Sequence, residues 1–283
     1  MPLKSVKESY TVSVEVNCFF GRKFRNRKFF KINVKKMILD GKNAIITGAR
    51  RGIGRATVEN FASQGANVWA CARKYDEAFE AEMVLIAQKY GVQIWPIYFD
   101  VTSEVEVKQA VQSIYRSKNS IDILVNVAGI VGNKTSFLMS SIDNMQQVFE
   151  TNFFAVTLLT QYIIRIMIRQ KKGSVVFISS IAGLDGTPAQ YAYASSKAAL
   201  IGAMKNLARE VAESNIRVNA IAPGMVDTDM GGQIEKTLRD EMLSKVMMKR
   251  MGKPEEVANA IAFISSDLAS FITGQVLRVD GGL

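Results

Sequence analysis

The chain has 283 residues, a hydrophobic fraction of 48% and a charged fraction of 22%, which suits one large α/β domain or two small ones with a real buried core. It contains no histidine, which excludes Ser-His-Asp triads, H-E-x-x-H zinc sites and histidine proton shuttles. The two cysteines, Cys18 and Cys71, lie far apart and make neither a disulfide framework nor a zinc spacing. No metal is therefore expected, and a reducing cytoplasm is the expected location.

The formal charge of +10 is unevenly placed. Residues 1–36 hold ten Lys or Arg against Glu8 and Glu15, whereas the other 247 residues hold 26 basic and 24 acidic side chains. In this first segment Thr11 to Val16 alternates like a strand, and F-F-G-R-K-F-R-N-R-K-F-F-K-I follows with aromatics and cations interleaved. An arm for RNA or lipid is one reading of that composition. The preferred reading is a dispensable basic extension, 1–36, arising from an upstream start, with the domain proper spanning 37–283. No nucleic-acid partner is then expected. A secretory signal lacks its apolar h-region here, and no run of about 18 apolar residues suggests a membrane span.

From Lys42 onward the pattern is regular. Strands are predicted at Asn43–Thr47, Ala66–Ala72, Gln93–Phe99, Ile121–Asn126, Ser174–Ser179, Arg217–Ile221 and Val276–Val279. Helices are predicted at Gly52–Gln64, Asp76–Tyr90, Glu104–Arg116, Thr151–Gln170, around Tyr193, and at Pro254–Ser265. Strands separated by helices of this length imply β-α-β crossovers and a parallel sheet. Strand runs without alternation imply a sheet covered on both faces. The fold class is thus α/β, a doubly wound parallel sheet (Rossmann fold) in a single domain, with its ligand beyond the carboxyl ends of the strands.

The first strand runs directly into T-G-A-R-R-G-I-G, Thr47 to Gly54, and then into a helix. Glycines 48, 52 and 54 permit a tight turn and close backbone approach, and the helix start, with Ile53, offers free N–H groups to a pyrophosphate. The second strand ends in A-C-A-R-K, with Ala72 where an acid would bind a ribose hydroxyl and Arg73 and Lys74 next. With Arg50 and Arg51 in the glycine loop, these cations favour a 2′-phosphate, so NADP(H) is the expected cofactor. Farther along, Tyr193 and Lys197 stand four residues apart in Q-Y-A-Y-A-S-S-K-A-A-L-I-G, on one face of a helix. A neighbouring ammonium favours a phenolate and brings the phenol towards acid–base use.

On these residues the chain resembles a short-chain dehydrogenase/reductase of the non-extended branch and is most similar to 3-oxoacyl-carrier-protein reductases. The resemblance covers about Met37 to Leu283 and rests on T-G-A-R-R-G-I-G, Asp100-Val101, N-V-A-G at 126–129, Asn152, Ser180, Y-A-S-S-K at 193–197 and P-G at 223–224. It implies that Asp100 and Val101 hold the adenine. Asn126, Ala128 and Gly129 would steady the sheet edge near the adenosine ribose, and Pro223, Gly224, Val226 and Thr228 would line the nicotinamide. It also implies that Tyr193 donates the proton, that Lys197 lowers its pKa and binds the nicotinamide ribose, and that Ser180 rather than Ser179 holds the substrate oxygen. Asn152 would kink its helix and hold a water beside Lys197. Val127 departs from the usual Ala by a small volume.

The implied activity is NADPH-dependent reduction of a carbonyl substrate, a 3-oxoacyl thioester on an acyl carrier protein, by a homotetramer. Lys171, Lys172, Lys245, Lys249 and Arg250 are candidates to meet the acidic carrier, while Ser214 and Asn215 stand where such reductases often have a basic residue. The alternatives are another alcohol, sugar or steroid dehydrogenase, or a non-catalytic dinucleotide-binding scaffold. Between Val226 and Lys253, Gly231-Gly232 and several methionines suit a lid over an apolar substrate or a helical pair capping the core. Phe154, Leu158, Ile164 and Met204 are expected on outer helix faces that pair subunits.

Overall fold

The structure, a computed structural model, describes residues 10–16, 28–34, 37–228 and 236–283. The Gly231-Gly232 part of the expected lid lies outside those residues. The chain forms two compact units, Met1–Met37 and Ile38–Leu283. In the first, β1 (Tyr10–Val16) and β2 (Lys28–Val34) pair antiparallel, with Tyr10 opposite Val34 and Val16 opposite Lys28. The second of these strands escaped the sequence reading because lysines at 28 and 31 interrupt its apolar pattern.

The second unit runs β3 (Asn43–Thr47), α1 (Gly52–Ser63), β4 (Asn67–Ala72), α2 (Glu77–Tyr90), β5 (Ile94–Tyr98), α3 (Glu104–Arg116), β6 (Ile123–Asn126), α4 (Ile142–Phe149), α5 (Ala155–Gln170), β7 (Gly173–Ile178), α6 (Ala182–Asp185), α7 (Tyr191–Val211), β8 (Ile216–Pro223), α8 (Lys236–Lys245), α9 (Pro254–Ser265) and β9 (Val276–Val279). The seven strands β3–β9 are parallel and lie in the order β5-β4-β3-β6-β7-β8-β9. The order reverses between β3 and β6, which opens a crevice at their carboxyl ends. Helices cover both faces. Val58 and Phe61 of α1, Met83 of α2 and Ile261 of α9 pack on one side. Val107 and Ile114 of α3, Leu159 and Ile163 of α5 and Met204 of α7 pack on the other. Each such fully buried side chain contributes roughly 1.5–3 kcal/mol.

Local chemistry sets the helix starts. Asp76 accepts the Phe79 N–H at 3.0 Å and Ser103 the Glu106 N–H at 3.4 Å, which supplies orphan donors in the first turns of α2 and α3. Ser141 does the same for Asn144 at 3.2 Å, and this cap starts a helix nine residues before the predicted Thr151. The early turns were hard to read because α4 buries only Asn144 and Val148. α4 continues into α5 through a π-helical turn, Glu150–Phe154. The kink expected at Asn152 is this widened turn, a feature often found at functional sites.

The combined helix Ile142–Gln170 is long and apolar enough to cross a membrane by length and composition. Here Leu159, Ile163 and Met167 of that helix fill the core. The outer-face expectation needs correction. Phe154 is 54% exposed, but Ile164 and Met204 are buried within the chain and cannot meet a second subunit. Apolar residues recur on more than one face of each helix, so the sequence pattern alone did not separate the core face from an outer one.

Because Met1–Met37 is a unit of its own, we expect deletion of residues 1–36 to shift the thermal midpoint of the remaining domain by no more than about 2 °C. Calorimetry of both forms checks this, and a loss of cooperative unfolding would refute it.

Candidate active site

The carboxyl end of β3 is closed by close packing. Thr47 Oγ1 accepts the N–H groups of Val127 and Ala128 at 3.0 and 3.1 Å, tying β3 to the strand end of β6 across the crevice. Gly48 has φ +65°, and a Cβ on it would lie 3.0 Å from the Ala128 nitrogen. A Cβ on Gly54 would lie 2.1 Å from the Gly48 carbonyl oxygen, so no other residue fits there. Gly52 has φ +55° and faces the Thr228 methyl, which brings the segment after β8 over the start of α1. No side chain caps α1, whose N-cap is Arg51, so the N–H groups of its first turn, those of Ile53 and Gly54 among them, face the crevice. This cradle fits a dinucleotide pyrophosphate.

Beside it, Ala72 ends β4 buried, and Arg73 and Lys74 follow it exposed. Arg50 forms an ion pair with Asp76, the cap of α2. Asp100 follows β5, and its carboxylate accepts the Thr102 N–H at 2.9 Å and hydroxyl at 2.7 Å. These bonds, with Arg73 and Lys74 nearby, hold the acid below its ordinary range despite partial burial. Val101 is half-buried next to it. Asn126 is buried, donates to Thr160 Oγ1 at 3.0 Å, and leaves its own Oδ1 without a partner. At the end of β8, Pro223 is buried, and a Cβ on Gly224 would lie 2.7 Å from the Asp280 Cα. Val226 bridges to Gly252 in parallel.

The helix α7 brings the remaining side chains to the same end of the sheet. Lys197 is 4% exposed, and its ammonium donates to the Ile178 carbonyl of β7 at 2.8 Å. Its Nζ lies 5.7 Å from the centre of the Tyr193 ring. Burial lowers its pKa to about 8. Gly129 explains how Asn152 reaches this group. A Cβ there would lie 3.0 Å from Asn152 Oδ1 and 3.3 Å from Lys197 Nζ, so the two polar atoms share the space a methyl would fill. Asn152 is fully buried and clamps Ile130 by accepting its N–H and donating to its carbonyl, both at 2.8 Å.

The two serines of β7's end separate cleanly. Ser179 is buried and donates its hydroxyl proton to the Lys197 carbonyl at 2.8 Å, so it braces the helix. Ser180 is half-buried and accepts the Ala182 N–H at 3.1 Å. Tyr193 differs from expectation in one respect. Burial raises its pKa and the Ser180 hydroxyl only partly opposes this, with no lowering from Lys197. Desolvation outweighs a charge that faces the ring rather than the hydroxyl. A phenol held protonated suits proton donation to a carbonyl.

Of the basic candidates, Lys171 and Lys172 precede β7 and so lie at the amino ends of the strands, opposite the crevice, where Lys172 pairs with Asp122 at 2.8 Å. They do not flank this chain's own site. Lys245, Lys249 and Arg250 sit around a segment whose Met247 and Met248 N–H groups bond the Gly282 and Gly281 carbonyls after β9, on the crevice side. Among the described residues no cluster of acids or cysteines suits a metal. Two contributors escaped the sequence reading: Ser196, which bonds Asn152, and Gly183, where a Cβ would lie 2.7 Å from the Lys197 carbonyl carbon. The second serine in Y-A-S-S-K was the available signal for the former.

This constellation is that of an oxidoreductase acting on a carbonyl or hydroxyl carbon with a nicotinamide dinucleotide. A family model described as enoyl-(acyl carrier protein) reductase matches residues 48–283. The chain is 41% identical over 245 residues to 3-oxoacyl-(acyl-carrier-protein) reductase FabG of Aquifex aeolicus, covering 87% of this chain and 98% of that protein. It is 42% identical over 248 residues to FabG of Chlamydia trachomatis, with 87% and 98% covered. The FabG of Escherichia coli is 37% identical over 247 residues, with 87% and 99% covered. The chain belongs to the short-chain dehydrogenase/reductase family.

The buried Lys197 gives a pH prediction for the nucleotide-free protein. With its folded pKa lowered to about 8 from an ordinary 10.5, the unfolded chain binds more protons between those values, so this group's contribution to stability rises with pH across that window. The stability gained by Lys197→Met relative to wild type should therefore shrink from pH 7 to pH 10. Denaturant unfolding across that range checks this, and a gap that widens with pH would contradict it.

Proposed function

We propose that the chain is an NADPH-dependent reductase of 3-oxoacyl thioesters. The observation that carries this reading is the buried Lys197, held by the Ile178 carbonyl with its ammonium 5.7 Å from the Tyr193 ring centre, at the same sheet end as the uncapped glycine-loop helix. Gly48, Gly52, Ile53 and Gly54 would hold the pyrophosphate, and Arg50, Arg51 and Arg73 the 2′-phosphate. Asp100 and Val101 would hold the adenine. Asn126, Ala128 and Gly129 would form the floor by the adenosine ribose, and Pro223, Gly224, Val226 and Thr228 the nicotinamide wall. The cofactor supplies a hydride to the carbonyl carbon when bound.

The chain's own residues do the rest. Ser180 donates a hydrogen bond to the substrate oxygen and polarises it, and Tyr193 delivers the proton to that oxygen as the 3-hydroxyacyl product forms. Lys197 holds the nicotinamide ribose hydroxyls and supplies positive charge beside the phenolate that Tyr193 becomes. Asn152, with Oδ1 beside Lys197 across Gly129, would hold the water that returns a proton.

The relatives' names point to 3-oxoacyl groups on an acyl carrier protein, and the family model's description points to enoyl groups. A serine and a tyrosine hydroxyl at one sheet end favour an oxygen as the proton acceptor, which a carbonyl presents and a carbon–carbon double bond does not. The exposed Phe154 and Ile168 of the helix Ile142–Gln170 fit a subunit contact in a homotetramer.

NADPH oxidation is the direct test. Turnover with an acetoacetyl thioester is expected. Turnover with a crotonyl thioester alone, with simple ketones, sugars or steroids alone, or nucleotide binding without any turnover, would overturn the proposal. Tyr193→Phe should lower kcat by about 10²–10⁴-fold with NADPH still bound. Ala72→Asp with Arg73→Ala should move the preference from NADPH towards NADH, and an unchanged ratio of kcat/KM would refute the assigned phosphate site.

A further inference from the structure

Asn152 lies in the π-helical turn, where the regular ladder of the long helix is interrupted. Its register with the catalytic helix is set instead by side-chain bonds. Both N–H groups of its carboxamide are in use, one on the Ile130 carbonyl at 2.8 Å and the other on Ser196 Oγ at 3.0 Å. Ser196 is itself fully buried and gives its only proton to the Tyr193 carbonyl at 2.8 Å. Its oxygen can therefore only accept from Asn152, so the amide nitrogen must face α7. Ile130 requires the same orientation, since its N–H meets Asn152 Oδ1 at 2.8 Å. The remaining acceptor capacity of Oδ1 is then left beside Gly129 and the Lys197 ammonium.

We propose that Ser196 is a positioning residue that holds the Asn152 carboxamide in register with the backbone of Tyr193. The inference rests on the functional reading above and adds a residue to it. The groups facing the Lys197 ammonium are the Ile178 carbonyl from β7, the Tyr193 ring from its own helix and the Asn152 carboxamide across Gly129. Only Asn152 among them comes from a separate helix, so only it needs such a tie. Removal of the Ser196 hydroxyl strands a buried N–H of Asn152 and removes its tie to the catalytic helix, leaving the Ile130 clamp alone to place the carboxamide.

The test uses the full chain, with NADPH and an acetoacetyl thioester for turnover and NADPH fluorescence titration for binding. Ser196→Ala should lower kcat about tenfold, while the NADPH Kd stays within about twofold of wild type. Ser196→Thr, which keeps the hydroxyl, should restore most of kcat. Ser196→Cys keeps the volume but offers a poor acceptor, and carries the same expectation as the alanine variant should that variant unfold. In an Asn152→Ala background, adding Ser196→Ala should change kcat by less than about twofold, because the two act through one path. A Ser196→Ala enzyme as fast as wild type, or a full further loss in the Asn152→Ala background, would overturn the inference. An inactive wild type would overturn the functional reading and this inference with it, whereas an active wild type beside an equally active Ser196→Ala overturns this inference alone.

Discussion

A lysine ammonium kept out of water is the constraint around which this sheet end is arranged. Lys197 sits between two strand ends with one carbonyl, that of Ile178, as its direct hydrogen-bond partner. Removing a charge from water is costly unless polar atoms replace the lost hydration. The surrounding residues read as responses to that demand. Gly129 leaves space between the ammonium and Asn152, and Gly183 lets α6 approach the Lys197 backbone without a clash. Ser179 satisfies the Lys197 carbonyl, and so anchors the helix that carries the charge.

The same strand ends build the nucleotide cradle, and the two halves are joined by Thr47. Its hydroxyl takes two backbone N–H groups, of Val127 and Ala128, from the segment after β6 that continues directly into Gly129. The glycine loop on one side and the Lys197 neighbourhood on the other are therefore set against each other by a few short contacts at the point where the strand order reverses. A rigid sheet, covered on both faces, holds those contacts in register. The chemistry is carried by loops and helix ends that the sheet positions.

Much of this was legible in the sequence, for identifiable reasons. The strand–glycine loop–helix order of Asn43 to Ser63 follows from residues whose backbone demands are local, and the structure realises it within a residue. The spacing of Tyr193 and Lys197 likewise survives folding because a helix preserves it. What was not legible depends on contacts distant in sequence. Ile164 and Met204 looked like outer positions, and only their packing in the core decided otherwise. Lys171 and Lys172 looked suited to a site mouth until the direction of β7 placed them at the other end. The raised pKa of Tyr193 depends on burial, which spacing along a helix does not encode.

The central claim, that a desolvated Lys197 organises the site, is tested most directly by titrating that lysine. In nucleotide-free protein carrying ¹⁵N-labelled lysine, with Lys197→Met as the assignment control, the Lys197 ammonium should titrate near pH 8, as its burial dictates. A titration near the ordinary value of 10.5 would contradict the account.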